Sequence, residues 1–341
     1  MSETRILNRA ALGELIAALT AAGQRVLAPV EDDGRVEFRE VTDADRLALD
    51  YVQTVTSAKA VVFPRFERML RFAMRGKDVT VEEVPPASPP TVLLGAHPCD
   101  AASFATLRAV FTWDSGDAYC EPKLAALTVV GLSCARGDDF CFCTSVGGGP
   151  ADARGCDILL SALDEKTYRA EILTERGRAL VDLAPGAFQP GAGAKPRPVA
   201  AILPRFAAAE LTEKLPELFG DASVWRQQSL RCLGCGSCAY VCPTCTCFDI
   251  QDERSRYDAM RVRTWDACGF GHFTLHASGH NPRGKQSERW RQRVMHKFAY
   301  QPARLQVLGC VGCGRCSRSC PVDMNLGEHL ERLAATAAGS E

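Results

Sequence analysis

The chain has 341 residues, 46% of them apolar and 24% charged, with a formal net charge of −1. That length accommodates two domains and a sizeable core, and the near-neutral balance gives no reason to expect nucleic acid or a membrane surface as the main partner. No apolar run approaches the roughly 20 residues needed to cross a bilayer, and residues 1–24 lack the basic and then apolar layout of a secretory leader, so a cytoplasmic protein is expected.

Leu12, Leu15, Ile16 and Leu19 recur at helical spacing and predict a helix over 9–22. Residues 25–41 read as two short strands around Asp32-Asp33-Gly34. Four prolines within 84–90 force an extended loop, because proline fixes φ and removes a donor. Apolar strands are expected at 92–96, 126–132 and 158–163, with a helix over 100–111 capped by Asp100. Strands alternating with helices predict an α/β N-terminal domain over 1–184. A Pro/Gly-rich linker at 185–198 and a helix over 199–218 make up a connecting segment, 185–225. The remainder, 226–341, is dense in cysteine and closes with a helix over 325–335.

There are 17 cysteines. A secreted disulfide scaffold of that density would be short, so metal binding or redox chemistry in a reducing compartment is the better reading. Two segments match each other, 232–243 and 310–321, and both read C-x2-C-x2-C-x3-C-P. The spacing suits a cubane, whose four iron corners each take one thiolate. Three cysteines two residues apart wrap three corners, and the fourth, followed by proline, departs toward the neighbouring cluster. Cluster I is therefore assigned to Cys232, Cys235, Cys238 and Cys320, and cluster II to Cys310, Cys313, Cys316 and Cys242. Gly234, Gly236, Gly312 and Gly314 are expected to adopt positive φ and bring amides toward the sulfurs, while Leu233 and Val311 keep water away. Zinc is the alternative, since C-x2-C pairs also build zinc ribbons, but two complete runs of four, each ending in Cys-Pro, carry the cluster signature. Two [4Fe–4S] clusters with crossed ligands lie close together, which suits an electron relay more than a structural staple. The expected fold is an α/β domain followed by a ferredoxin-like dicluster domain, 226–341, with a long insert between its two runs.

Of the other cysteines, Cys99 and Cys134 follow strand ends, with Cys141 and Cys143 on the next loop. Ligand sites favour the carboxyl ends of strands in α/β sheets, so a third cluster on Cys99, Cys134, Cys141 and Cys143 is a candidate; buried small apolar side chains are the alternative. A third cluster or a flavin there would allow a self-contained reductase. Cys245, Cys247 and Cys268 offer only three thiolates for a separate site, and Cys120 and Cys156 read as incidental. His272, His276 and His280 are four apart, but Gly269, Gly271 and Gly279 weaken a helix there, and surface or packing histidines are expected. Residues 252–297 are rich in arginine, including Arg254, Arg256, Arg261, Arg263, Arg283, Arg289, Arg291 and Arg293. With Lys285 and Lys297, they read either as a solvated face and supports for a long cluster-wrapping insert or as docking for an acidic partner, and positive charge beside a cluster would raise its potential. The stretch lacks a nucleic-acid fold pattern. There is no dinucleotide fingerprint, phosphate loop or nucleophile elbow, hence no visible catalytic set. Gly147, Gly148 and Gly149 lead into Pro150 and read as a turn.

Further motifs lie at 59–67 (Lys-Ala-Val-Val-Phe-Pro-Arg-Phe-Glu), 95–100 (Gly-Ala-His-Pro-Cys-Asp), 139–144 (Asp-Phe-Cys-Phe-Cys-Thr), 242–249, 279–284 (Gly-His-Asn-Pro-Arg-Gly) and 296–298 (His-Lys-Phe). Together with the two cysteine runs, the sequence resembles the iron–sulfur beta subunits of cytosolic NAD(P)-linked [NiFe] hydrogenases (sulfhydrogenases), over nearly the whole chain. The A subunit of anaerobic, siroheme-type sulfite reductase is a related family. The resemblance implies an electron-transfer subunit between a flavin subunit that handles NAD(P)H and a catalytic module, hydrogenase or sulfite reductase. His97 departs from the arginine that the family leads one to expect before Pro98.

Overall fold

The computed structural model describes residues 3–191, 193, 195–255 and 258–338. Twelve strands are described: β1 Glu3–Asn8, β2 Arg25–Asp32, β3 Arg35–Glu40, β4 Phe66–Arg75, β5 Asp78–Glu83, β6 Thr91–Ala96, β7 Leu127–Leu132, β8 Ile158–Ala162, β9 Thr167–Ile172, β10 Phe188–Pro190, β11 Phe248–Arg254 and β12 Asp258–Trp265. They form an eight-stranded sheet, ordered β10-β1-β9-β8-β7-β6-β2-β3, and a four-stranded sheet, ordered β11-β12-β4-β5.

The centre of the large sheet is parallel, β2 with β6, β6 with β7 and β7 with β8. Side chains alternate across it with the period of two that a strand imposes. Val92 and Leu94, Val130 and Leu132, and Ile158 and Leu160 pack toward the helix Leu12–Ala21, with Leu12, Leu15, Ile16 and Leu19 in the same core. Leu93, Val129 and Leu159 point the other way, to Phe104, Leu107 and Phe111 of the helix Pro98–Thr112. Helices thus cover both faces, as buried parallel strands require.

The helix Pro98–Thr112 begins earlier than expected. His97 occupies its cap position with Pro98 in the first turn, and no side chain caps it. Asp100 is fully buried and pairs instead with Arg315 at 2.5 Å. His97 sits between the carbonyls of Leu132 and Tyr51, at 3.1 Å from each, and stacks on the Tyr51 ring. The expected linker at 185–198 contains β10, which pairs antiparallel with β1. The helix expected over 199–218 is confined to Ala208–Lys214 and a tighter turn, Leu215–Gly220. Pro204 has no amide hydrogen and biases its predecessor away from helix.

The small sheet draws strands from both parts of the chain: β4 pairs antiparallel with β12. A buried ion-pair network fastens this junction. Arg263 on β12 meets Glu67 on β4 at 2.5 Å and Asp117 at 2.5 Å, and Lys123 pairs with the same Glu67. A third core gathers Trp225, Trp290, Phe298, Leu330 and Leu333 from the C-terminal helices, with Cys232, Cys310, Cys316 and Cys320 along its edge. Among the described residues no helix is long and apolar enough to cross a membrane.

Candidate metal centres

The two cysteine runs fold alike. In each, a glycine in the left-handed region, Gly236 (φ 74°) or Gly314 (φ 70°), opens a one-turn helix, Ser237–Tyr240 or Arg315–Arg318. Glycine is needed because the positive φ would strain any other residue. A Cβ at Gly236 would also lie 2.5 Å from the Phe270 ring. The two short helices pack on each other, with the Ser237 hydroxyl donating to the Ser319 carbonyl.

This packing produces two neighbouring cavities. The first is lined by Cys232, Cys235 and Cys238 from the first run and by Cys320 from the second. The second is lined by Cys310, Cys313 and Cys316 from the second run and by Cys242 from the first. Arg293, Cys316 and Leu326 line both, so one layer of side chains separates them. Among the described residues, no three His, Cys, Asp or Glu side chains converge closely enough to share one metal ion. A tetrahedral zinc site would need four sulfurs each about 2.3 Å from a single point. A polynuclear cluster holds its thiolates apart around a larger body, and an all-sulfur donor set suits iron–sulfur chemistry. The residues present therefore fit [4Fe–4S] clusters.

Donors surround the sulfurs. The Gln286 amide donates to Cys232 Sγ at 3.0 Å, and the Met324 and Gly312 amides donate to Cys320 and Cys310 at 3.2 and 3.4 Å. Lys297 Nζ lies 3.5 Å from Cys242 Sγ and also donates to Thr244 Oγ1 and the Gly309 carbonyl. Arg293 donates to Cys245 Sγ at 3.4 Å and to the Cys238 carbonyl at 3.0 Å. Burial opposes the charge of Lys297 and Arg293, and the neighbouring cysteines, in their thiolate form, outweigh it and raise both groups. As free thiols, Cys238 and Cys310 are pushed up to about 12 by burial; a bound metal would take them as thiolates and release their protons.

Arg263, Arg293 and Lys297 are 2–4% exposed, so these three are not on a solvated face or a docking surface but in the expected alternative place, as supports packed beside the cysteine segments; Arg256 lies outside the described residues. The available signal was the four-residue spacing of Arg293 and Lys297, which share a face with Trp290 and Val294 across the helix Gln286–Met295 and the wider π-type turn His296–Tyr300. Lys59, from the 59–67 motif, was also not identified. Its buried ammonium bonds the carbonyls of Ala239 and Cys245 and sits 4.0 Å over the Trp265 ring. Leu233 does not seal the first cavity as expected but is 68% exposed, beside exposed Cys235.

The remaining candidates divide. Cys99, Cys134, Cys141 and Cys143 line one further cavity. Cys245, Cys247 and Cys268 are free thiols that, among the described residues, do not converge on one metal ion. Cys268 faces the first cavity. Cys120 and Cys156 are buried in the core beneath the large sheet. His272, His276 and His280 lie exposed in turns.

Residues 231–324 match a family model described as a 4Fe-4S dicluster domain. The whole chain is similar to the sulfhydrogenase 2 subunit beta of Pyrococcus furiosus, at 31% identity over 323 residues, covering 92% of this chain and 93% of that one. No solved structure matches. With that similarity along its length, and with 4Fe–4S electron-transfer chemistry shared with a hydrogenase subunit, the chain belongs to the family of sulfhydrogenase beta subunits.

Proposed function

We propose that this chain relays single electrons through two [4Fe–4S] clusters, one on Cys232, Cys235, Cys238 and Cys320 and the other on Cys242, Cys310, Cys313 and Cys316, in the cytoplasm. Its partners are a flavin subunit that oxidises NAD(P)H and a [NiFe] hydrogenase module. The observation that carries this is the shared wall of Arg293, Cys316 and Leu326: transfer by tunnelling weakens steeply with distance, and adjacent sites keep it fast. Each cluster supplies one-electron uptake without a coupled bond change.

The chain's own residues do the rest. Buried Arg293 and Lys297 offset the negative charge that reduction adds. Amides and Gln286 hold the sulfurs in place. Exposed Leu230, Leu233 and Cys235 present the first site to the surface, where a redox partner can approach closely. The segment 226–341 is the conducting unit, and the α/β part, 1–184, clamps it through the Glu67–Arg263 and Asp100–Arg315 pairs.

Affinity purification of the tagged chain from its native host under argon tests the assignment of partners. Co-purifying flavin and nickel–iron chains, with NAD(P)H reducing the clusters only when the flavin chain is present, are expected. A siroheme chain in their place would reassign the complex to sulfite reduction, and turnover by the isolated chain with an artificial reductant would make it a reductase in its own right.

A further inference from the structure

We infer that Cys99, Cys134, Cys141 and Cys143 hold a third [4Fe–4S] cluster, which extends the relay beyond the second one. The four thiols come from three segments. Cys99 lies in the first turn of the helix after β6, Cys134 two residues past β7, and Cys141 and Cys143 on the loop that follows. All four line one cavity at the carboxyl end of the parallel strands. Buried structural cysteines are usually dispersed through a core, as Cys120 and Cys156 are; these four face a common space.

Two donors are aimed at the sulfurs. Gln53 Nε2 lies 3.4 Å from Cys99 Sγ, and Arg318 Nη2 lies 3.2 Å from Cys141 Sγ. Arg318 is held for this by Asp138, at 2.5 and 2.7 Å. Arg136 lines the outer edge of the cavity, with its guanidinium paired to Asp50 at 3.0 Å. A dianionic cluster would find the same kind of support here that Gln286 and Lys297 provide at the first two sites.

The packing against the second run is independent of this. The amide of Phe142 donates to the Gly312 carbonyl at 2.9 Å. A Cβ at Gly312 would fall 2.5 Å from the Cys143 amide nitrogen, and one at Gly314 would fall 2.5 Å from the Phe140 carbonyl oxygen. The glycines of the second run are therefore what allow the Cys141–Cys143 loop to lie against it. Cys313 lines both the second cavity and this one. The three cavities form a row, with Cys316 between the first two and Cys313 between the last two.

One electron leaves the reduced 1+ centre on Cys242, Cys310, Cys313 and Cys316, returning it to 2+, and takes the oxidised 2+ centre on Cys99, Cys134, Cys141 and Cys143 to 1+. No bond forms or breaks and no proton moves. The source of the electron is the partner's reduced flavin, so the relay step rests on the function proposed above, whereas cluster binding does not.

The test uses the full chain, reconstituted anaerobically with ferrous iron and sulfide. The expected result is about 12 irons per wild-type chain and about 8 in the Cys141→Ala/Cys143→Ala variant. About 8 irons in both would overturn the third cluster and leave the two-cluster relay standing; about 4 or fewer in the wild type, or zinc in place of iron, would overturn both. Should the double variant fail to fold, integrated electron paramagnetic resonance of the dithionite-reduced wild type decides. About three spins per chain are expected, and about two would refute the proposal.

Discussion

Lys297 is the most informative residue to change. Its ammonium is 4% exposed, lies 3.5 Å from Cys242 Sγ and is held by Thr244 and the Gly309 carbonyl. The electron that reduces a cluster spreads over the whole cubane, so the relevant separation is nearer to about 6 Å than to the sulfur contact. With an effective dielectric constant of about 20, a unit charge at that distance contributes about 3 kcal/mol. For a one-electron couple, about 1.4 kcal/mol corresponds to about 59 mV, and solvent relaxation reduces the full value by up to about half. Lys297→Met keeps an unbranched side chain and removes the charge. It should shift one midpoint potential to more negative values by about 60 to 120 mV and move the first site's potential less. The assay is a redox titration of the reconstituted protein followed by electron paramagnetic resonance, with Lys297→Arg as the charge-retaining control and the iron content of each sample measured. An unchanged or more positive potential in fully loaded Lys297→Met would refute the electrostatic role.

Three further outcomes follow from the same geometry. Cys320→Ala should remove about four irons and leave the Lys297-sensitive signal intact, because Cys320 faces the cavity of the first run; loss of that signal instead would show that the runs do not cross. Asp100→Ala leaves Arg315 buried without its partner and should cost about 3 to 5 kcal/mol, read by anaerobic denaturant unfolding. A cost under about 1 kcal/mol would mean that the pair does not fasten the two parts of the chain. Glu67→Leu strips both Arg263 and Lys123 of a buried carboxylate and should destabilise the protein by a similar amount, whereas Arg261→Ala, at an exposed pair with Asp252, should cost at most about 1 kcal/mol.

The parts of the fold that sequence made legible are those with strong local signals. The apolar runs of β6, β7 and β8, the turn at Asp32-Asp33-Gly34 and the helical spacing of Leu12 to Leu19 each encode their element within a short window. The duplicated cysteine runs were legible for the same reason. The small sheet was not. Every residue of β5 and β11 is exposed, so the short alternations Val79/Val81 and Phe248/Ile250 are not anchored in a buried face, and the pairing of β4 with β12 joins residues almost 200 positions apart. The burial of the cations beside the sites was not legible because lysine and arginine are ordinarily exposed. What buries Arg293 and Lys297 is a set of cysteines brought from two distant segments, and that neighbourhood exists only once the chain has folded. Asp100 looked like a helix cap from its position, but its true partner, Arg315, lies far along the sequence.

The central claim is that each site takes three thiolates from one run and the fourth from the other. Diffraction at the iron edge from crystals of the anaerobically loaded chain would locate the metals directly. It should reveal polynuclear iron bodies in the adjacent cavities, one bonded to the sulfurs of Cys232, Cys235, Cys238 and Cys320 and the other to those of Cys310, Cys313, Cys316 and Cys242. Isolated single ions, disulfides among these eight residues, or a fourth ligand drawn from the same run as the other three would contradict it.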